Sequence, residues 1–118
     1  MPEPDHGSRS ALDRRGPARH ELPAVDEAGL AAARHADRVV AALLEMGAER
    51  WIRYFEPMPE RLRDDEPRGL RQVALRARAA YGPKDSIRDV LPRELTEPFL
   101  DSIDRLLKQL ARRDTGAA

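Results

Sequence analysis

One short stretch, residues 81–91 with the sequence YGPKDSIRDVL, interrupts two apolar patterns of helical spacing and so constrains the fold most. Gly82 can end a helix in the left-handed conformation, and Pro83 cannot continue one because it lacks a backbone N–H. Asp85 or Ser86 can then accept a hydrogen bond from a free N–H at the start of the next helix. The stretch therefore predicts a helix, a tight turn with a positive φ at Gly82, and a short second helix.

The ring of Tyr81 continues the apolar face of the preceding helix, so we expect it to pack into the core. Its hydroxyl should then reach a hydrogen-bond partner, because a buried hydroxyl without one costs about 1–3 kcal/mol. The residues that build this structural turn are Tyr81, Gly82, Asp85 and Ser86.

The remaining apolar residues repeat at helical spacing, and no strand-like alternation is present. A first long helix is predicted from an N-cap at Asp26 to a stop at Gly47, and a last long helix from an N-cap at Thr96. Prolines divide the segment between them into shorter helices. The predicted fold class is all-α, a small bundle of about five helices in which two long outer helices pack around shorter ones.

Domain boundaries follow from the proline, glycine and charge content of the two ends. Residues 1–24 carry four prolines, two glycines and few large apolar side chains, which predicts a disordered N-terminal tail. Residues 25–113 form the predicted helical domain, and residues 114–118 are expected to fray.

Composition narrows the classes of function. The 118 residues hold 21 basic and 21 acidic side chains, so the net charge does not indicate a nucleic-acid partner. The chain has no cysteine, which excludes disulfides and thiolate metal sites. No apolar run has the length of a membrane span, and the N-terminus has no signal-peptide core. We expect a cytoplasmic protein with no membrane partner, no metal and no cofactor.

Catalytic patterns are not evident in the sequence. The predicted domain contains a single histidine, His35, so a Ser/His/Asp triad is not supported, and no phosphate-binding loop is present. We therefore predict that the protein is not an enzyme. The enzyme alternative would require a water-excluding pocket that gathers His35, Tyr81, Lys84 and Asp85.

Charge is distributed unevenly along the middle of the chain. Residues 56–66 contain five acidic side chains, whereas residues 67–84 contain five basic ones and none acidic. The asymmetry fits ion pairs between neighbouring helices, each worth little, or an acidic protein partner that docks on the basic face. On the second interpretation, the partner-binding residues are Arg68, Arg71, Arg78, Lys84 and Arg88.

Other binding modes stay open at this stage. Trp51 and Phe55 fit one face of a short helix, where they can fill the core or anchor a partner. The apolar stripe of the last helix could join a homodimer. A helix-turn-helix over residues 68–91 could bind DNA, although the acidic Asp85 and Asp89 on its second helix argue against insertion into a groove.

The chain also resembles an uncharacterised bacterial family of small helical proteins over roughly residues 38–110. That family has a tryptophan-containing helix, a Gly-Leu helix, then a Tyr- or Phe-Gly-Gly-Met-Gly-Ser turn and an aspartate. The residues that match are Trp51, Gly69, Leu70, Tyr81, Gly82, Ser86 and Asp89, while Pro83, Lys84 and Asp85 depart from the family's turn. The family carries no established activity. Its small, variable, helical character is similar to that of immunity proteins to toxins, and so implies a protein-binding module.

Overall fold

The computed structural model describes residues 16–116, with side chains as far as Arg112, and this part is all-α, as predicted. It contains five α-helices: α1 (Pro23–Met46), α2 (Glu49–Phe55), α3 (Met58–Asp64), α4 (Pro67–Ala79) and α5 (Arg93–Gly116). Two 3-10 turns accompany them, the first turn at Arg19–Glu21 and the second turn at Ile87–Asp89.

The two 24-residue helices, α1 and α5, pack directly against each other, so they form the centre of the bundle and not an outer pair around the shorter helices, as was predicted. Helix α1 contributes fully buried alanines to the core, and such small side chains let packed helices approach closely. Helix α3 lies on α1, and α4 lies on α5 and α3. The largest buried side chains come from every α-helix and the second turn: Phe55, Phe99, Leu43, Met58, Leu62, Leu70, Ile87, Ile103, Leu106 and Leu110.

The N-terminal edge of the domain differs from the predicted boundary at residue 24. Helix α1 begins at Pro23, where a proline is tolerated because its missing N–H would have no helical partner. Asp26 is therefore not the N-cap. The first turn precedes the helix, and its Arg19 is buried, which composition alone did not indicate. Residues 1–15 of the predicted tail lie outside the described residues.

The start of α5 also differs from the prediction. The helix begins at Arg93 rather than after Thr96, because the N–H groups of Leu95 and Thr96 both donate to the carbonyl of Pro92. Thr96 is buried within the helix, and Pro98 lies inside it. At the other end α5 reaches Gly116, past the predicted fraying point at residue 114.

The turn between α4 and α5 reverses the chain at a different residue from the one predicted. Gly82 does not have a positive φ; Asp85 does, at 52°. Helix α4 ends in a right-handed conformation at Ala80, so the left-handed residue comes three positions after Gly82. Aspartate is one of the few residues other than glycine that tolerates this region.

Ser86 caps the element that follows, as predicted. Its Oγ accepts a hydrogen bond from the N–H of Arg88 at 3.1 Å. That element is a single 3-10 turn and not a short α-helix. The turn nevertheless closes the core, since Ile87 is fully buried.

Candidate functional site

A cleft of about 270 Å³ opens between α2 and the end of α4. From α2 it is lined by Arg50, Trp51 and Tyr54. From the end of α4 and the turn after it, the lining residues are Ala79, Ala80, Lys84 and Asp85. We refer to this site as the cleft.

Helix α2 divides its aromatic side chains between the core and the cleft. Phe55 is fully buried and meets the ring of Phe99 at 6.0 Å, edge to face. Trp51 and Tyr54, on an adjoining face of the helix, are half-buried, and their rings pack at 5.9 Å and 70° to each other. The two aromatic rings therefore form an apolar wall that the rest of the chain covers only in part.

Arginine side chains lie against both aromatic rings of this wall. The guanidinium of Arg50 lies 5.0 Å from the centre of the Trp51 ring, and that of Arg76 lies 4.1 Å from the centre of the Tyr54 ring. The Tyr54 hydroxyl donates to the backbone carbonyl of Arg76 at 2.6 Å, which ties α2 to α4. The quadrupole of an aromatic ring attracts a cation placed over its face. These contacts therefore hold the two guanidinium groups against the aromatic wall.

The charged groups on the two sides of the cleft are solvated. Arg50 and Asp85 approach each other at 3.7 Å, with side chains 66% and 73% exposed, so their attraction is weak. Lys84 is exposed and forms no ion pair with any side chain in the part of the chain that the structure describes. Two cations and one carboxylate thus line the cleft, a net positive charge.

The predicted partner-binding residues lie in three places: on α4, in the cleft and in the turn before α5. Arg68, Arg71 and Arg78 lie at helical spacing along one stripe of α4, together with Leu75, which is 50% exposed. Within this stripe, Arg78 forms an ion pair with Asp104 of α5. Of the five predicted residues, Lys84 alone lines the cleft.

Arg88, the last of the five, is engaged within the turn. Its Nε and Nη2 donate to both carboxylate oxygens of Glu97 at 2.9 Å, and its guanidinium lies 5.1 Å from the centre of the Tyr81 ring. These bonds lower the pKa of Glu97 and raise the pKa of Arg88. The Arg88 guanidinium therefore serves first to fasten the turn to α5.

Tyr81 faces α5 and not the cleft. Its hydroxyl donates to the backbone carbonyl of Thr96 at 2.5 Å, which is the polar partner that the sequence predicted. Burial raises the pKa of the Tyr81 hydroxyl well above its usual value, and the negative charge of Glu97 contributes a smaller part of the rise. The hydroxyl is thus a neutral donor that connects the turn to the first part of α5.

The four residues of the enzyme alternative are not gathered in one place. Lys84 and Asp85 line the cleft, whereas Tyr81 bonds to α5 and His35 lies on α1. Burial, with Arg38 and Arg34 nearby, lowers the pKa of His35. Within residues 16–116, no cluster of histidine, aspartate or glutamate side chains has the arrangement of a metal site.

Two further binding modes can be compared with the geometry. The second turn comprises only Ile87–Asp89, which is too short to lie in a DNA groove as a recognition helix. The apolar stripe of α5 is used inside the bundle, since Phe99, Ile103 and Leu106 are fully buried. None of the described helices is long and apolar enough to cross a membrane.

Sequence reasoning missed Arg50, which lines the cleft, and Arg76, whose guanidinium lies over the Tyr54 ring. A signal was present in the spacing: Arg50 and Tyr54 are four residues apart, with Trp51 between them, on a helix that starts at Glu49, two residues after Gly47. The approach of Arg76 to Tyr54 depends on the packing of α2 near α4, which no local pattern encodes.

No family model, curated protein or solved structure matches this chain. The cleft is therefore interpreted from the geometry of this chain alone.

Proposed function

We propose that the protein is a protein-binding module without catalytic activity, and that the cleft receives an acidic segment of another protein. The observation that carries the proposal is the combination in one cleft of a half-exposed tryptophan wall and an unpaired cation, Lys84. A toxin with an acidic surface, as bound by immunity proteins, is one partner of this kind.

The aromatic wall supports a protein as the ligand. Tryptophan, tyrosine and arginine are the residue types that most often dominate the binding energy of protein interfaces. Trp51, Tyr54 and Arg50 adjoin one another on a single short helix, and ring packing together with the Tyr54–Arg76 hydrogen bond holds them in place. Such a wall is already ordered before a partner arrives, which reduces the entropy cost of binding.

Charge supports an acidic partner. Arg50 and Lys84 lie on opposite sides of the cleft, and a carboxylate placed between them would replace the long contact of Arg50 with Asp85. Outside the cleft, the basic stripe of α4 adds exposed arginines, with Leu75 exposed between them. A positive surface of this kind speeds the approach of an acidic partner and selects against a basic one.

The small size and exposed rim of the cleft favour contact with protein side chains over enclosure of a small molecule. Small-molecule sites usually enclose about 300–1,000 Å³ and bury most of their ligand. The cleft, at about 270 Å³, lies below that range and has charged, exposed side chains at its rim. It fits one or two side chains of a partner.

Charge reversal in the cleft tests the proposal. Wild-type protein and the Lys84→Glu variant are each immobilised and incubated with a lysate of cells that express the chain. The proteins that wild type and the variant capture are then compared. We expect a partner with an acidic surface whose affinity falls about tenfold or more in Lys84→Glu, since a like charge then faces its carboxylates. Unfolding in urea should show the stability of Lys84→Glu within about 0.5 kcal/mol of wild type.

Arg34→Glu is the matched control, because Arg34 is an exposed arginine of α1 outside the cleft. The same partner should bind Arg34→Glu as it binds wild type. Equal capture by all three proteins would contradict the assignment of the cleft. A partner that proves to be DNA, with steep salt dependence in a gel-shift assay, would contradict the proposed class of partner.

A homodimer through α5 is the remaining alternative from the sequence. Sedimentation at two protein concentrations distinguishes it from a monomer. The α5 stripe offers only half-buried residues such as Leu107 to a second copy, because its largest side chains are buried in the bundle. We therefore place the binding surface at the cleft.

A further inference from the structure

Arg19, in the first turn, is a buried arginine at the edge of the bundle. It is 5% exposed, although it lies in a three-residue turn ahead of α1. Its Nε donates to Oδ1 of Asp26 at 2.7 Å, and its Nη1 donates to the backbone carbonyl of Asp65 at 3.0 Å. Its backbone N–H donates to Oε1 of Glu66 at 2.8 Å. A short N-terminal segment is thereby fastened to α1 and to the junction of α3 and α4.

The pocket around this guanidinium depends on a glycine. A Cβ at Gly29 would lie 2.8 Å from Nη2 of Arg19 and 3.0 Å from the carbonyl oxygen of Leu62. Any other residue at position 29 would therefore displace the guanidinium or the carbonyl. We define the guanidinium pocket as the space bounded by Asp26, Gly29 and the Asp65 carbonyl.

Arg19 does not satisfy all of its own donors in this pocket. Nη2 is fully buried and has no hydrogen-bond partner among the described residues. A buried donor without a partner is unfavourable, so the bound state of Arg19 is less stable than a fully bonded guanidinium would be. The pocket therefore accepts a guanidinium without bonding all of its N–H donors.

The rest of the first turn adds little to this attachment. His20 and Glu21 are exposed, and Glu21 bonds locally, since its Oε1 accepts from the N–H of Ala18 at 2.8 Å. Residues 16–22, which we call the latch, are therefore held to the bundle by Arg19 and by the half-buried side chain of Leu22, which packs against the core. Release of the Arg19 side chain would leave the Asp26 carboxylate, which is 43% exposed, and the Asp65 carbonyl without their hydrogen bonds to it.

We propose that the guanidinium pocket is a binding site for an arginine side chain, filled in the closed chain by Arg19 and open to an arginine of another protein when the latch leaves. Two nitrogens of the planar guanidinium fork donate to the carboxylate of Asp26 and to the carbonyl of Asp65, a geometry that the single nitrogen of an ammonium does not reproduce. This site is separate from the cleft, and its ligand has the opposite charge to the acidic partner proposed there.

Chemical rescue tests whether the pocket binds a guanidinium that is not attached to the chain. Full-length Arg19→Ala is titrated with methylguanidinium or, at equal concentration and ionic strength, with methylammonium, and thermal midpoints are compared. We expect methylguanidinium at tens of millimolar to raise the midpoint of Arg19→Ala by several degrees relative to methylammonium. Wild type, whose pocket is filled, should show no such difference.

The double variant Arg19→Ala with Gly29→Ala is the matched control, because a methyl group then occupies the position next to Nη2. It should lose the difference between the two cations. Equal responses of Arg19→Ala to methylguanidinium and methylammonium would overturn the proposal, as would an unchanged difference in the double variant.

A second measurement applies even if Arg19→Ala does not fold. In Gly29→Ala the guanidinium should be displaced, so trypsin should cleave after Arg19 about tenfold faster than in wild type. Gly82→Ala is the control, since a Cβ there meets only the Ala79 carbonyl oxygen at 3.4 Å. Cleavage after Arg19 at the wild-type rate in Gly29→Ala would show that the pocket does not hold the latch, and would overturn the proposal.

Discussion

The two ends of α4 use basic side chains in opposite ways. At its N-terminal end, next to Glu66, Arg19 is buried and bonded to a carboxylate and a backbone carbonyl. At its C-terminal end, Arg50 and Lys84 line the cleft with solvated charges and one weak ion pair. Helix α4 thus separates the acidic guanidinium pocket, which is filled by Arg19, from the basic cleft, which is exposed to solvent.

The difference shows why composition is a poor guide to which cation has a structural role. A buried charge must be paired and hydrogen-bonded, because desolvation otherwise outweighs its attraction. An exposed cation contributes little to folding and remains available to a partner. We therefore expect substitutions at the latch end to change stability, and substitutions at the cleft end to change binding.

The largest effect should come from Arg19→Ala. A hydrogen bond to a charged group contributes about 1.5–3 kcal/mol. Arg19→Ala removes two part-buried side-chain bonds, but it also removes the buried and unbonded Nη2, so we expect a net loss of about 2–3 kcal/mol. Urea unfolding followed by circular dichroism measures the change. Arg68→Ala, an exposed arginine in the first turn of α4, should stay within about 0.5 kcal/mol of wild type. Similar losses in the two variants would remove the distinction between the two ends.

The next effect concerns the backbone of the cleft end. Asp85→Val places a β-branched residue at a φ of 52°, which should cost about 1–2 kcal/mol. Asp85→Asn keeps the tolerance for this conformation and should be nearly neutral, although it removes the weak ion pair with Arg50. Gly82→Ala should also be nearly neutral, because the φ of Gly82 is not positive. A large loss in Gly82→Ala combined with a neutral Asp85→Val would restore the prediction made from the sequence.

A matched pair of tyrosines tests how the cleft end is fastened. Tyr81→Phe removes a part-buried hydrogen bond to the Thr96 carbonyl, and we expect a loss of about 1 kcal/mol. Tyr54→Phe removes an exposed hydrogen bond to the Arg76 carbonyl, so its loss should be about half as large. Equal losses, measured by urea unfolding, would show that exposure does not weaken the second bond.

The smallest effect is a pH dependence at the Arg88–Glu97 pair. Its hydrogen bonds lower the pKa of Glu97 below the usual 4.5, so the unfolded chain takes up a proton there before the folded chain does. The stabilisation is present above about pH 4.5 and is lost as the pH falls toward the lowered pKa. The free energy of unfolding of Glu97→Gln should therefore fall slightly less steeply with decreasing pH than that of wild type. Identical slopes in the two proteins would show that this exposed pair does not fasten the turn.

Much of the helix content was predictable because it depends on local patterns. The stripe of Phe99, Ile103 and Leu106 and the stop at Gly47 follow from helical spacing and from the left-handed conformation of a helix end. The cap at Ser86 follows from the same local chemistry. These features need only residues a few positions apart.

The two sites at the ends of α4 could be predicted only in part. Lys84 was identified from the charge pattern, but its association with Arg50 and Trp51 requires that α2 lie near the end of α4. The burial of Arg19 requires partners 46 and 47 residues away in sequence. The left-handed residue was assigned to Gly82 because glycine has the lowest cost there, while the path of the chain placed it at Asp85.

The position of Trp51 gives the cleft its own optical reporter. It is the single tryptophan of the chain, so emission excited at its absorption edge comes from one indole, and that indole stands on the cleft wall under the Arg50 guanidinium. A carboxylate that draws Arg50 away would change the field at the ring and hence the wavelength and yield of emission. Occupancy of the cleft can thus be followed without a label.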